Sequence, residues 1–262
     1  MSDNPIRFDD GEKYDNSMGV WSRLVGQVFL DWLAPAPKLS WIDIGCGSGA
    51  FTKQIAELCG PSDLHGVDPS EGQLAFARTR PMPTPASFVN GDAMALPFDA
   101  GRFDAAVMAL VLFFVPEPAR GLAEMIRVTK PGGLVSAYVW DVPGGGLPMA
   151  PVQAGMRALG LEPPRPPSAD ISEMANLRSL WRDAGLADIE TREIAATRTF
   201  PDFEAYWANT LQIANLGGAI ERLEAKERES LKADTRGRLQ GDRNGHVTLT
   251  ARANAIKARV PA

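Results

Sequence analysis

The sequence predicts an α/β fold with a doubly wound, mostly parallel sheet, and three observations lead to this expectation. Short apolar segments that end at a glycine turn or an acidic residue recur along residues 41–140. Segments with helical periodicity follow them, as in strand–helix–strand units. The length of 262 residues, 45% of them hydrophobic, is enough to bury one large core. We therefore expect a single domain over residues 1–262.

The most informative segment is WIDIGCGSGA at residues 41–50. It predicts a buried strand that runs directly into a glycine turn. Gly45, Gly47 and Gly49 lack a Cβ, so the chain can bend through positive φ and a ligand can lie against the backbone. Apolar residues from Phe51 onward recur at helical spacing, so a helix should open at the turn. Its first N–H groups would point toward an anionic group of the ligand.

The same turn is compatible with two cofactors. GCGSGA satisfies the dinucleotide fingerprint if Ala50 takes the place of the third glycine. Asp43 favours another ligand, because a carboxylate at the strand end would repel a pyrophosphate and attract positive charge. S-adenosylmethionine carries an ammonium and a sulfonium. We therefore favour it over NAD(P), with a purely structural glycine turn as a third interpretation.

Acidic residues also follow the next two predicted strands. LHGVD ends a second strand at Asp68, where a carboxylate can accept both hydroxyl groups of a ribose. FVNGDA ends a third strand with Asp92, which can bind an adenine amine. RFDAAVMAL and LVSAYVW predict a fourth and a fifth strand. These acids would line the carboxyl edge of the sheet, where such folds bind ligands, although each taken singly fits an ordinary turn.

The rest of the chain divides around this core. An amphipathic helix begins near Trp21, and a segment rich in proline and glycine follows the fifth strand. A sixth strand, a helical stretch and a final strand complete the pattern. The expected parts are an N-terminal helical cap at 1–38, a cofactor-binding core at 39–140, a mobile lid at 141–170, and a C-terminal sheet half at 171–262 with a helical insertion at about 202–240.

Residues 41–140 resemble class I S-adenosylmethionine-dependent methyltransferases, similar to the group that includes ubiquinone and menaquinone biosynthesis enzymes. The resemblance implies a Rossmann-like sheet of seven strands, in which the last strand runs antiparallel between the fifth and the sixth. In such enzymes the glycine turn holds the methionine part, the second acid the ribose and the third the adenine. The implied cofactor-binding residues are Tyr14, Asp43, Gly45, Cys46, Gly47, Gly49, Asp68, Pro69, Asp92, Ala93, Ala109 and Leu110.

The acceptor side departs from the resemblance. Relatives often carry a histidine pair after the fourth strand, whereas this chain has Phe113 and Phe114. Aromatic faces suit a flat apolar acceptor, although packing explains them equally well. The candidate acceptor residues are Trp21, Phe113, Phe114, Trp140, Tyr206 and Trp207. The resemblance places His246, at the start of the last strand, on the ligand edge, where it is either a candidate catalytic group or a solvated or packing residue.

The sequence thus predicts an enzyme that transfers a methyl group from S-adenosylmethionine to a small, apolar or aromatic molecule by in-line displacement. An NAD(P)-dependent oxidoreductase and a non-catalytic S-adenosylmethionine-binding module are the alternatives. The net charge of −5 argues against nucleic acid as a partner. We also expect a cytoplasmic protein without a membrane span, signal peptide, metal or disulfide, because no apolar run or cysteine and histidine spacing supports them.

Overall fold

The computed structural model describes residues 17–262, and one seven-stranded sheet organises them. The strands are β1 (Ser40–Ile44), β2 (Asp63–Asp68), β3 (Ser87–Asn90), β4 (Phe103–Ala109), β5 (Thr129–Trp140), β6 (Ala187–Phe200) and β7 (Val247–Arg259). Their order across the sheet is β3-β2-β1-β4-β5-β7-β6. The first five strands pair in parallel, and β7 is antiparallel to both β5 and β6. The predicted mostly parallel sheet with an antiparallel last strand is confirmed.

Helices connect these strands and cover the sheet. The α-helices are α1 (Met18–Leu33), α2 (Ala50–Leu58), α3 (Glu71–Thr79), α4 (Pro118–Val128), α5 (Ala150–Ala158), α6 (Met174–Asp183), α7 (Phe203–Leu211), α8 (Ala214–Glu221) and α9 (Ala225–Arg238). Short 3₁₀ helices occur at Leu112–Phe114 and Ala169–Ser172. The predicted helical insertion before the last strand is present as α7, α8 and α9. Within residues 17–262, every helix is too short or too polar to cross a lipid bilayer.

Strand β1 forms the centre of the core. Trp41, Ile42 and Ile44 are fully buried, as expected for a parallel strand that is covered on both faces. β1 pairs with β2 on one side and with β4 on the other. The strand order therefore reverses at the end of β1, which is where open α/β sheets bind their ligands.

Helix α1 packs closely along α2. Gly26 makes this approach possible, because a Cβ there would lie 2.5 Å from Gln54 Oε1 and 3.0 Å from the Phe51 ring. The Gln54 amide also donates a hydrogen bond to the carbonyl of Arg23 at 2.9 Å. α1 also contacts β6 and β7, so it joins the two halves of the sheet.

The segment 141–170 contains more structure than the predicted mobile lid. Its middle folds into α5, where Val152 and Met156 are buried, and α5 packs against α9. The proline and glycine content suggested a cover rather than a core element, but most of these residues flank α5, and Gly155 inside the helix allows its close approach to α9. At the far end, Ser168 donates from its backbone N–H to the Phe113 carbonyl at 3.0 Å and from its hydroxyl to the Val115 carbonyl at 2.8 Å. That the segment covers a ligand remains a prediction.

Candidate functional site

The glycine turn after β1 has the backbone conformation that its sequence predicts. Gly45, Gly47 and Gly49 have φ angles of 74°, 51° and 74°, in the left-handed region that favours glycine. The backbone N–H groups of Gly45 and Cys46 both donate to the Val67 carbonyl, at 2.7 and 3.0 Å. The turn is thereby fixed to the end of β2, and α2 begins directly after it.

The three glycines differ in what surrounds them. A Cβ on Gly45 would lie 2.5 Å from both methyl groups of Val111, and one on Gly49 would lie 3.1 Å from the Ala77 Cβ. These two glycines are required by protein packing. Among residues 17–262, a Cβ on Gly47 would meet no atom within 4 Å. The backbone at Gly47 therefore faces open space on the edge of the sheet where ligands bind.

Asp43 is a fully buried carboxylate just before the turn. Its Oδ2 accepts a hydrogen bond of 2.7 Å from the Thr52 hydroxyl, and its Oδ1 has no hydrogen-bond partner among residues 17–262. Burial raises the pKa of Asp43 from 3.8 to about 7, although the bond from Thr52 opposes the shift. The carboxylate is thus partly protonated at neutral pH, and a cation beside Oδ1 would favour its ionised form.

Asp68 ends β2 and organises the loops beside it. Its Oδ2 accepts from the Gly47 N–H and its Oδ1 from the Ser70 N–H, each at 2.9 Å. Burial raises the pKa of Asp68, and the two backbone hydrogen bonds oppose that shift. The Ser70 hydroxyl in turn caps α3 by accepting from the Gln73 N–H at 3.3 Å. The carboxylate therefore lies beside the open face of the glycine turn.

Asp92 and Ala93 lie just beyond β3. Asp92 is exposed, and its Oδ1 accepts from the Met94 N–H at 2.8 Å. The neighbouring loops are joined by Asn90, whose amide donates to the Pro69 carbonyl at 3.0 Å. The predicted positions at 68–69 and 92–93 therefore lie at the ends of the neighbouring strands β2 and β3, as expected from the sequence.

At the end of β4, Leu110 adopts a φ of 61°, which is uncommon for a residue with a side chain. Its N–H donates to the Tyr138 carbonyl at 2.8 Å, and this bond holds the conformation. The following residue, Val111, packs on Gly45. The strained backbone at Leu110 thus sets the wall above the glycine turn, and Ala109 lies half-buried beside it.

Arg80 is a residue of this site that the sequence analysis missed. Its guanidinium donates to the carbonyl of Ser48 at 2.9 Å and to the Ser48 hydroxyl at 3.3 Å. It thereby fixes the middle of the glycine turn from the end of α3. No local pattern in the sequence signals this contact, since the two residues are 32 positions apart.

The predicted acceptor residues lie mostly inside the core. Trp21, Phe113, Trp140, Tyr206 and Trp207 are buried, and Phe114 is half-buried with its ring centre 4.4 Å from that of Phe113. Their surroundings explain them as packing residues, and a role toward an acceptor remains a prediction.

The remaining two predicted site residues are His246 and Tyr14. His246 lies in the turn before β7, with Nδ1 3.2 Å from Asp242 Oδ2, and its backbone N–H donates to Asp242 Oδ1 at 2.9 Å. These contacts describe a turn residue, and its catalytic role is untested. Tyr14 lies outside the described residues.

A cavity of about 530 Å³ lies elsewhere, between the end of α1 and the amino end of the sheet. Its lining includes Leu33, Leu39, Leu134 and Lys257. β1 and the apolar part of β5 begin here, whereas the glycine turn lies where β1 ends. Because ligands of open α/β sheets bind at the carboxyl edge, this cavity is a poor candidate for the cofactor site.

The central part of the chain matches a known family. Residues 42–137 match the family described as Methyltransferase domain. Residues 42–137 therefore carry a methyltransferase domain. This domain begins within β1, includes the glycine turn and extends into β5. The resemblance to methyltransferases that was identified from the sequence is thereby confirmed.

Curated relatives match this chain over part of their own length. The demethylmenaquinone methyltransferase of Renibacterium salmoninarum is 39% identical over 136 residues, which cover 48% of this chain and 54% of that protein. The ubiquinone/menaquinone biosynthesis C-methyltransferase UbiE of Roseobacter denitrificans is 33% identical over 129 residues, covering 46% and 52%. The chain thus spans about half the length of these relatives.

Solved structures share the fold over most of this chain. A methyltransferase of Bacillus halodurans, itself named as putative, has a TM-score of 0.58 at 18% identity, covering 90% of this chain and 99% of that one. The Haemonchus contortus phosphoethanolamine N-methyltransferase 2 gives a TM-score of 0.59 at 18% identity, covering 99% and 60%. At such identities the likeness establishes the fold alone.

Proposed function

We propose that this protein transfers a methyl group from S-adenosyl-L-methionine to a small, apolar or aromatic molecule. The observation that carries the proposal is the open glycine turn between Asp43 and Asp68 at the carboxyl edge of the sheet. It lies inside the methyltransferase domain. The demethylmenaquinone methyltransferases among the relatives support an acceptor of this chemical class.

The residues present fit this cofactor. The free space at Gly47 accommodates a ligand against the backbone, and the unpaired Asp43 Oδ1 is suited to a nearby positive charge. In our proposal residues 45–49 hold the methionine part. Asp68 accepts the ribose hydroxyl groups through the lone pairs that its two backbone bonds leave free, and Asp92 binds the adenine amine.

The bound cofactor supplies an activated methyl group on sulfur. The task of the chain is then to align the acceptor and exclude water, because in-line displacement depends mainly on orientation. The buried aromatic residues around Phe113 and the segment 141–170 suit this task. We further propose a location in the cytoplasm, no nucleic-acid partner and no permanent metal, as the sequence predicts.

The first test compares the binding of the two candidate classes of cofactor. Calorimetric titration with S-adenosylhomocysteine and with NADH and NADPH separates the proposed enzyme from an oxidoreductase. We expect binding of S-adenosylhomocysteine alone. Binding of a dinucleotide without S-adenosylhomocysteine would contradict the proposal.

Asp68→Ala should weaken S-adenosylhomocysteine binding by about 100-fold, because the loss removes the ribose acceptor and releases the Gly47 N–H. Asp63→Ala is the matched control, since Asp63 is at the other end of β2 and pairs with Arg102. Equal affinity in both variants would refute the ribose assignment.

Methyl transfer itself is tested with radiolabelled S-adenosylmethionine and a small-molecule extract. Labelled product that requires Asp68 supports an enzyme. Tight cofactor binding without any labelled product would instead indicate a non-catalytic binding module.

A further inference from the structure

Strands β6 and β7 extend beyond the rest of the sheet as a two-stranded arm. β7 pairs with β5 from Ala253 to Arg259, whereas its pairing with β6 continues to the Val247 and Phe200 pair. The free part of β6 covers residues 195–200. It projects past the carboxyl end of β5, on the same edge as the glycine turn, because β5 runs parallel to β1 through β4.

Arg198 is a half-buried residue of this arm, and its guanidinium is poorly paired. Its Nη1 is 3.5 Å from the Ser17 carbonyl and 3.4 Å from Asn209 Oδ1, both long for hydrogen bonds. The guanidinium lies over the Phe200 ring at 4.4 Å. Among residues 17–262 no carboxylate lies within 4.0 Å of it, unlike the guanidinium of Arg252, which has Asp141 at 3.3 Å.

The electrostatic surroundings of Arg198 are positive. Burial lowers the pKa of Arg198, and the charge of Arg23 lowers it further. This is the direction expected for a guanidinium that lacks an anionic partner. Arginine side chains that are withdrawn from water normally pair with a carboxylate or a phosphate.

Helix α1 links this group to the helix that follows the glycine turn. Ser17 immediately precedes α1, and α1 packs along α2, which starts at the glycine turn. Trp21, one turn into α1, is buried. The amino end of α1 therefore contacts the β6–β7 arm at the carboxyl edge of the sheet, while the middle of α1 packs on Phe51 in the first turn of α2.

We propose that Arg198 binds an oxyanion, carboxylate or phosphate, on the methyl acceptor, and that the acceptor is consequently an aromatic anion. The inference rests on the proposed function and narrows its substrate class. The guanidinium supplies charge and paired donors, and the buried Phe200 ring beneath it supports the guanidinium from the core side. Arg198 is in this account a specificity-determining residue for the acceptor.

The test measures binding of three probes to the protein saturated with S-adenosylhomocysteine. Benzoate, phenyl phosphate and the uncharged benzamide share one ring and differ in charge. We expect at least one of the two anions to bind about tenfold more tightly than benzamide. The stronger of the two identifies carboxylate or phosphate as the source of the charge. Equal affinity for all three probes, or no binding of either anion, overturns the proposal.

Variants test whether Arg198 causes the preference for the anionic probes over benzamide. Arg198→Gln should abolish it and Arg198→Lys should keep part of it, while both leave the affinity for S-adenosylhomocysteine within about twofold of the parent. Arg182→Gln, which removes an exposed arginine of α6 paired with Asp183, is the matched control and should change neither. A preference that survives in Arg198→Gln overturns the proposal.

The acidic N-terminus provides another discriminating variant. A preference that appears only in the Asp9→Asn, Asp10→Asn double variant would mean that the acids of the chain itself occupy Arg198, and would overturn the proposal. Titration with S-adenosylhomocysteine, done first, tests the proposed function separately from anion binding by Arg198. If that ligand fails to bind, the proposed function fails, and the same probes on the free protein still decide whether Arg198 binds anions.

Discussion

The two sides of the candidate site are built in different ways. The cofactor side uses two neighbouring strand ends, where Asp68 reaches back 21 positions to Gly47. The proposed acceptor side brings together α1 and β6, where Arg198 approaches Ser17 across 181 positions. The first arrangement depends on local turns and the second on how distant segments pack. Local sequence should therefore predict cofactor chemistry well and acceptor chemistry poorly.

The largest expected effect comes from Gly45→Ala. A Cβ there would lie 2.5 Å from the Val111 methyl groups at a φ of 74°. Overpacking and backbone strain together should lower the free energy of unfolding by about 3 kcal/mol. S-adenosylhomocysteine binding should be lost. Urea denaturation and calorimetry measure both, and adding Val111→Ala should restore part of the stability. A stable variant that binds normally would contradict the packing described for the turn.

Gly47→Ala separates ligand contact from protein packing. The added Cβ lies more than 4 Å from every atom of the non-adjacent residues that the structure describes in 17–262, so only the backbone cost of about 1 kcal/mol is expected. Its affinity for S-adenosylhomocysteine should nevertheless fall about 100-fold, because the methyl group occupies the proposed ligand space. Gly60→Ala is the matched control, with a φ of 53° and equally open surroundings. Calorimetry on the two variants should show an affinity loss at Gly47 alone, and equal losses would disprove the placement of the ligand.

Asp43 provides a smaller, pH-dependent effect. Its raised pKa means that the folded state favours the neutral acid, so stability is lost as pH rises from about 4 to 7. Three pKa units correspond to about 4 kcal/mol, and Asp43→Asn should recover on the order of half of this above pH 7. The gain should vanish below pH 4. Urea denaturation at several pH values checks the sign, and a gain that is constant with pH would contradict it.

Cofactor affinity should show the opposite trend. A cation beside Asp43 Oδ1 favours ionisation, so binding of S-adenosylhomocysteine should strengthen about tenfold between about pH 6 and pH 8 and release a proton. In Asp43→Asn the affinity should be weaker and nearly independent of pH. Calorimetry in buffers of different ionisation enthalpy measures the released proton.

The smallest effect is expected on the acceptor side. Arg252 contacts Asp141 at 3.3 Å and donates to the Gly144 carbonyl at 2.6 Å, which fixes the start of the segment 141–170. Arg252→Gln should lower the free energy of unfolding by about 1 kcal/mol. S-adenosylhomocysteine affinity should stay unchanged. A large loss of affinity would mean that the two sides are coupled more strongly than their construction suggests.

The sequence predicted what depends on short-range pattern. The glycine turn, Asp68 and Asp92 fall where strand ends were expected, and the seven-stranded sheet follows the resemblance. The sequence did not predict the positive φ of Leu110, the hydrogen bond from Arg80 to Ser48, or helix α5 inside the segment 141–170. Each of these depends on contacts between distant segments. Composition alone describes such segments as loops, because it contains no information on what they pack against.

The most direct test of the central claim is a crystal structure of the protein with S-adenosylhomocysteine. We predict that the methionine part lies on residues 45–49 and that both ribose hydroxyl groups lie within hydrogen-bonding distance of Asp68. S-adenosylhomocysteine in the cavity beside Leu33 and Lys257 would contradict the account. So would a glycine turn that binds only the diphosphate of a dinucleotide.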